Sequence, residues 1–316
     1  MTPQRPLTVS VIDPIGPALE KVKMILFKPF ELRKWFVIGF CAWLAFLGSG
    51  DGGGGGGPNF NFQGRKHEAR QAFGEAKGFI LDNLHWIIPV AVLAVAVGII
   101  LWLVITWLSS RGRFMFLHCV AENKAEVKIP WEKFRQHANS LFLFRIVLGL
   151  IGFAVTGLPV LLLVGFIIIM IASEGPVLIG VLGGVVIGLI IIALIIIFSL
   201  IGKFTMDFVV PIMFLRTTSC RAGWREFLRV LSSNKGRFFL YILFQIVIGI
   251  AIGAIIMTGM CITCCCAACI LAIPYIGTVL MLPLLVFKRA YSLLYLQQFG
   301  PEFDVFRPET EMAIAD

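Results

Sequence analysis

The chain has 316 residues, of which 59% are hydrophobic and only 14% charged, with a formal net charge of +9 and a mean hydropathy of +0.93. Soluble globular chains run at roughly 45–50% apolar and about 25% charged residues, so this apolar excess has no aqueous surface to occupy. A disordered protein, a soluble dinucleotide-binding or barrel enzyme and a small disulfide scaffold are excluded, and a multi-pass membrane protein remains.

Residues 1–34 read as a cytoplasmic amphipathic segment. From Ile15 to Phe30, Leu19, Val22, Ile25 and Leu26 recur at helical spacing, opposite Glu20, Lys21 and Lys23, and Pro29 closes the run. The favoured expectation is a flank packed under a bundle, ahead of a binder of anionic lipid. No apolar core ending in a cleavage site precedes residue 35, so insertion is expected to start from an internal anchor. The membrane domain occupies residues 35–300. A crossing helix needs on the order of 20 apolar residues, and the qualifying stretches lie at about 35–50, 86–108, 146–172, 177–202, 238–260 and 264–287. The first, Trp35 to Leu47, is the shortest. The fold class is therefore all-α, a polytopic transmembrane helix bundle of about six spans with amphipathic interfacial helices. An open sheet leaves its backbone polar groups unsatisfied in lipid.

The loop over residues 48–85 contains Gly48-Ser-Gly-Asp-Gly-Gly-Gly-Gly-Gly-Gly-Pro58. A phosphate-cradling loop needs a Lys and a Ser or Thr directly after the glycines, and neither follows here, so a flexible outer connector is expected. With six spans, every Lys and Arg except Arg65, Lys66, Arg70 and Lys77 falls on one side. By the positive-inside rule that side is the cytoplasm. Both termini, including the tail 301–316, are then cytoplasmic, in the cell inner membrane.

Two basic loops resemble each other. The first runs through Phe114-Met-Phe-Leu117, Trp131-Glu-Lys-Phe134 and Ile146-Val-Leu-Gly149. The second runs through Ile212-Met-Phe-Leu215, Trp224-Arg-Glu-Phe227 and Ile246-Val-Ile-Gly249. A partial third copy is Pro283-Leu-Leu-Val-Phe-Lys-Arg289. Repeated helix hairpins are the simplest source of such a pattern. In each amphipathic helix the aromatic face is expected to sink into the headgroup boundary while the cations stay wet. Trp131, Lys133, Arg135, Trp224, Arg225 and Arg229 are thus the expected lipid or partner contacts, with interfacial anchoring as the blander use of the same residues.

Chemistry-bearing groups are sparse. The stretches 146–172, 177–202 and 238–260 hold no Asp, Glu, Lys, Arg or His, which argues against a midplane proton relay. Lys203 and Asp207 stand four apart and suit a local ion pair, and Arg145 suits a snorkelling side chain. Five of the eight cysteines fall between Cys261 and Cys269. Cys264, Cys265 and Cys269 are the candidates for a metal or redox site, but ligands along one helix cannot surround a tetrahedral ion, and small apolar packing is the favoured reading. Gly180, Gly184 and Gly188, with Gly249 and Gly253, form stripes at four-residue spacing that permit close helix approach.

The stretch from Pro211-Ile-Met-Phe-Leu215 through Arg221-Ala-Gly-Trp-Arg-Glu-Phe-Leu-Arg-Val-Leu-Ser-Ser-Asn-Lys-Gly-Arg237 resembles bacterial multi-pass proteins related to the membrane domain of glycerophosphodiester phosphodiesterases. The resemblance extends over about residues 90 to 300. It implies a membrane domain without the catalytic barrel, since a barrel needs about 250 residues, and it transfers no catalytic residue. The expected function is a non-enzymatic scaffold or lipid-interacting component, with anionic phospholipid and other membrane proteins as partners, no nucleic acid and no cofactor. The alternative is a channel or transporter kinked at Pro159, Pro211 and Pro283, with Thr156, Thr205, Thr278 or Gln245 lining a wet path.

Overall fold

A computed structural model describes residues 9–48, 83–172, 177–263, 270–271 and 273–306, all helical or irregular, with no strand among them. Helix α1 (Ile15–Val22) passes directly into a π-turn at Lys23–Phe27. Ala18, Val22, Ile25 and Leu26 are buried, whereas Leu19 is 56% exposed. Val22, Ile25 and Leu26 thus face inward as expected of a flank packed under the bundle, and Ala18 takes the inward place expected of Leu19. Tyr291 donates to the Val11 carbonyl at 2.8 Å, and Ser10 and Gln298 exchange backbone-to-amide hydrogen bonds of 2.7 and 3.0 Å. The two ends of the described chain thus lie side by side.

Helix α2 (Leu32–Phe46) has 15 residues, about 22 Å of length, against a hydrocarbon core of about 30 Å. Helix α3 (Leu84–Glu122) has 39 residues, about 58 Å. The two run antiparallel. Lys34 reaches Asn123 at the end of α3 (2.7 Å), and Ser109 donates to the Ala45 carbonyl (2.9 Å). Arg111, Arg113 and Phe114–Leu117, expected in a loop, continue α3 well past its apolar part. Rings from neighbouring elements enclose that extension, so the helix has no reason to end at the first cation.

The rest follows as α4 (Lys128–Lys133), α5 (Arg135–Ala172), α6 (Val177–Phe204), a π-turn (Thr205–Val209), α7 (Val210–Arg216), α8 (Cys220–Ser233) and α9 (Lys235–Ile262). Helices α10 (Pro274–Leu280) and α11 (Leu282–Gln297) meet at a 63° bend. The repeat read in the sequence has a backbone counterpart. The residue after Glu122 and the residue after Arg216, Asn123 and Thr217, both adopt the left-handed conformation (φ 57° and 45°) that ends one helix and turns toward the next amphipathic one.

Among the described residues four helical stretches are long and apolar enough to cross a membrane, His85–Glu122, Arg135–Phe166, Leu182–Arg216 and Lys235–Ile262, and the bent α10–α11 pair makes a fifth if it counts as one span. Packing is uneven along them. Phe114, Phe134, Phe208, Phe227, Phe238, Tyr241, Tyr291 and Tyr295 are buried together in one core, contributed by α3, the α4–α5 junction, the π-turn, α8, α9 and α11. Away from that core Phe153, Leu161 and Ile250 are 79%, 71% and 68% exposed. Apolar surface so continuous suits hydrocarbon and not water. The chain therefore folds as an aromatic body from which apolar helices project.

Candidate functional site

The aromatic partners of the two basic repeats turn into the body. Phe134 stacks between Phe214 (4.9 Å) and Phe114 (5.8 Å), and Phe227 stacks on Phe208 at 5.3 Å with nearly parallel rings. Trp224 packs on Phe144, and Trp131 meets Trp107 edge-on. The aromatic face expected in the headgroup boundary is instead the protein's own core contact. What remains outward is cationic, since Lys133, Arg135, Arg225 and Arg229 are all exposed.

Helix α8 is held to the body by Gly223, where an added Cβ would lie 3.1 Å from Val209 and Met213 side chains. Arg216 pairs with Glu226 at 2.7 Å. On one flank of α8 a cavity of about 320 Å³ carries Arg229, Asn234, Arg237 and Glu302. On the other, an apolar groove of about 370 Å³ is lined by Phe204, Leu228, Leu231, Phe238 and Phe239, with Lys235 beside it.

A second cationic station lies on α3, α4 and α5. The Arg111 guanidinium sits 4.4 Å from the Trp107 ring centre and 4.6 Å from that of Trp131, a cation–π sandwich of the kind that strengthens when desolvated. Arg145 reaches from α5 to Ser109 and Ser110 on α3 (3.2 and 3.3 Å). The sequence marked Arg145 but not the serines, which are 36 and 35 residues away.

The anticipated Lys203–Asp207 pair is present at 3.2 Å, within a larger network. Tyr241 donates to Asp207 at 3.0 Å, Gln245 donates to Tyr241 at 2.8 Å, and Arg289 donates to the Met206 carbonyl at 2.6 Å. The π-turn that carries Asp207 shifts the carbonyl register, which makes a backbone acceptor available to a side chain. Thr156, Thr205 and Thr278 each donate to a carbonyl four residues back. Neither of the α8 cavities contains them or Gln245.

An added Cβ on Gly184, Gly188, Gly249 or Gly253 would meet nothing within 4 Å, so these glycines make no close approach among the described residues; close approaches occur at Gly39, Gly112 and Gly223. Gly180 lies where side chains are not described, and Cys264, Cys265 and Cys269 lie outside the described residues. Among the described residues no group of three His, Cys, Asp or Glu could hold a metal ion.

Cys220, at the start of α8, is buried and its backbone N–H donates to Ser140 at 3.0 Å. Burial pushes its thiol up to about 12, so the reactive thiolate is scarce at pH 8. Maleimide is expected to label exposed Cys261 long before Cys220 in the folded protein, followed by peptide mass spectrometry. Equal rates without denaturant would contradict the docking of α8.

The model of DUF7544, a family of unknown function, matches residues 9–285, most of the chain. The match supports an uncharacterised family and brings no tie to the glycerophosphodiester phosphodiesterases. No curated protein and no solved structure matches.

Proposed function

We propose that this chain, which belongs to DUF7544, is a six-span inner-membrane protein that acts as a non-enzymatic, lipid-interacting scaffold on the cytoplasmic face. Chain direction supports the span number. Helix α3 starts and α9 ends away from the aromatic body, while Ser10, Gln298 and the Arg237 carbonyl, which accepts from Tyr295, lie within it. Four projecting helices connected in that sense accord with one further traverse before Leu84 and one after Ile262. Both termini then share a face, the one that gathers Arg111, Arg135, Arg216, Arg225, Arg229 and Arg289. That accumulation is what favours the cytoplasmic side.

The observation that carries the lipid reading is the division of labour in the two repeats. Phe134 and Phe227 fix each short helix to the body, which leaves Lys133, Arg135, Arg225 and Arg229 outward beside the projecting apolar helices. Cations there meet anionic headgroups at about 1 kcal/mol each. In bilayers of mixed phosphatidylglycerol and phosphatidylcholine, R225E/R229E is expected to lower the preference for phosphatidylglycerol by about fivefold or more. Tryptophan-to-lipid energy transfer reads that preference. A preference unchanged both by the substitutions and by added salt would overturn the reading.

A further inference from the structure

We propose that Arg145, at the crossing of α3 and α5, holds the phosphodiester of a single bound phospholipid. The inference rests on the lipid-interacting reading and names a defined site within it. Arg145 immediately precedes the apolar run that begins at Ile146, and Ser109 and Ser110 immediately follow the apolar run of α3. That level, where hydrocarbon gives way to polar residues on both helices, is where headgroup phosphates lie.

The local geometry orients one edge of the guanidinium and leaves the other unused. Nη1 of Arg145 donates to Ser109 Oγ at 3.2 Å, Ser110 Oγ at 3.3 Å and the Thr106 carbonyl at 3.5 Å. Both serine hydroxyls already donate elsewhere, Ser109 to the Ala45 carbonyl at 2.9 Å and Ser110 to the Thr106 carbonyl at 2.7 Å. Their oxygens can therefore only accept, and they act as positioning residues. The Nη2–Nε edge takes no part in these contacts, and it is the edge that matches two non-bridging phosphate oxygens.

Charge balance points the same way. No carboxylate among the described residues pairs with Arg145 or Arg111. Arg111, on the next turn of α3, is 7% exposed, and its Nε is enclosed without a hydrogen-bond partner. Arg135 adds a further like charge beside it. A half-buried guanidinium without a counter-charge is costly, and the described residues supply none. Below the crossing Trp102 of α3, 44% exposed, lies against Gly149 of α5, one turn from Arg145, an apolar surface along which acyl chains can lie, so the anion comes from a lipid.

The test is native mass spectrometry of the full chain, purified in detergent and titrated with phosphatidylglycerol. Wild type is expected to retain one phospholipid, and R145Q to bind it about tenfold more weakly or worse. S109A/S110A is expected to fall between them. R225E/R229E is expected to retain the lipid, which separates this site from the general basic face. Wild-type retention in both R145Q and S109A/S110A overturns the site. If R145Q fails to fold, S109A/S110A alone decides in the same way. Loss in R225E/R229E with retention in R145Q sinks this site and leaves the scaffold reading standing. Displacement of the lipid by millimolar inorganic phosphate would show a free-phosphate site and overturn the choice of lipid.

Discussion

Gly112→Leu is expected to separate α2 from α3 and leave little folded protein, and Gly112→Ala to cost about 3 kcal/mol. An added Cβ at Gly112 would lie 2.5 Å from the Ala45 nitrogen and 2.6 Å from the Leu44 Cβ, and nearer still to the Leu44 carbonyl carbon. Backbone atoms cannot rotate away as a side-chain tip can, so the helices must move apart. That movement also strains the Ser109–Ala45 and Lys34–Asn123 hydrogen bonds. A total stability of about 5–15 kcal/mol makes such a loss large. Gly188→Ala and Gly249→Ala are the contrast, because an added methyl meets nothing within 4 Å at either position. There the substitution is expected to be neutral or to gain about 1 kcal/mol in helix propensity. Unfolding midpoints in a denaturing-detergent titration measure all four. A Gly112→Ala midpoint equal to wild type would refute the close crossing, and losses at Gly188 or Gly249 would show that those faces pack on something beyond the described residues.

What the sequence makes legible is what depends on neighbours along the chain. Uninterrupted apolar runs mark the projecting helices, since a helix surrounded by hydrocarbon needs no polar face. The repeat is also visible, and Asn123 and Thr217 share the left-handed turn that links its parts. Its copies nevertheless diverge, with six residues in α4 and 14 in α8. Helix ends are less legible because they depend on partners far away in sequence. Arg111 and Arg113 look like loop residues until Trp107 and Trp131 are seen to enclose Arg111. Likewise Trp-x-x-Phe spacing identifies an amphipathic helix and cannot say whether its rings meet lipid or, as with Phe227 on Phe208, the protein. Four-residue glycine spacing states that close approach is possible; Gly112, which belongs to no such stripe, is where α2 meets α3.

Asp207→Ala is expected to destabilise the protein by about 1–3 kcal/mol, the cost of removing one partner from a half-buried, hydrogen-bonded ionic group. The carboxylate faces Lys203 at 3.2 Å and accepts from Tyr241 at 3.0 Å, and it lies close enough to Arg289 to act on its charge. Its loss leaves Lys203 and Arg289 without that anion. Arg289→Met is expected to cost a similar amount, because it vacates the Met206 carbonyl and leaves that π-turn acceptor without its donor. Combining Asp207→Ala with Arg289→Met should cost clearly less than the sum, since each change relieves the charge that the other strands. Tyr241→Phe removes a single hydrogen bond to the carboxylate and should cost only about 1 kcal/mol. A strictly additive double variant would show that Asp207 and Arg289 do not act on each other. The 2.6 Å bond to the Met206 carbonyl would then be what fixes α11 against the π-turn.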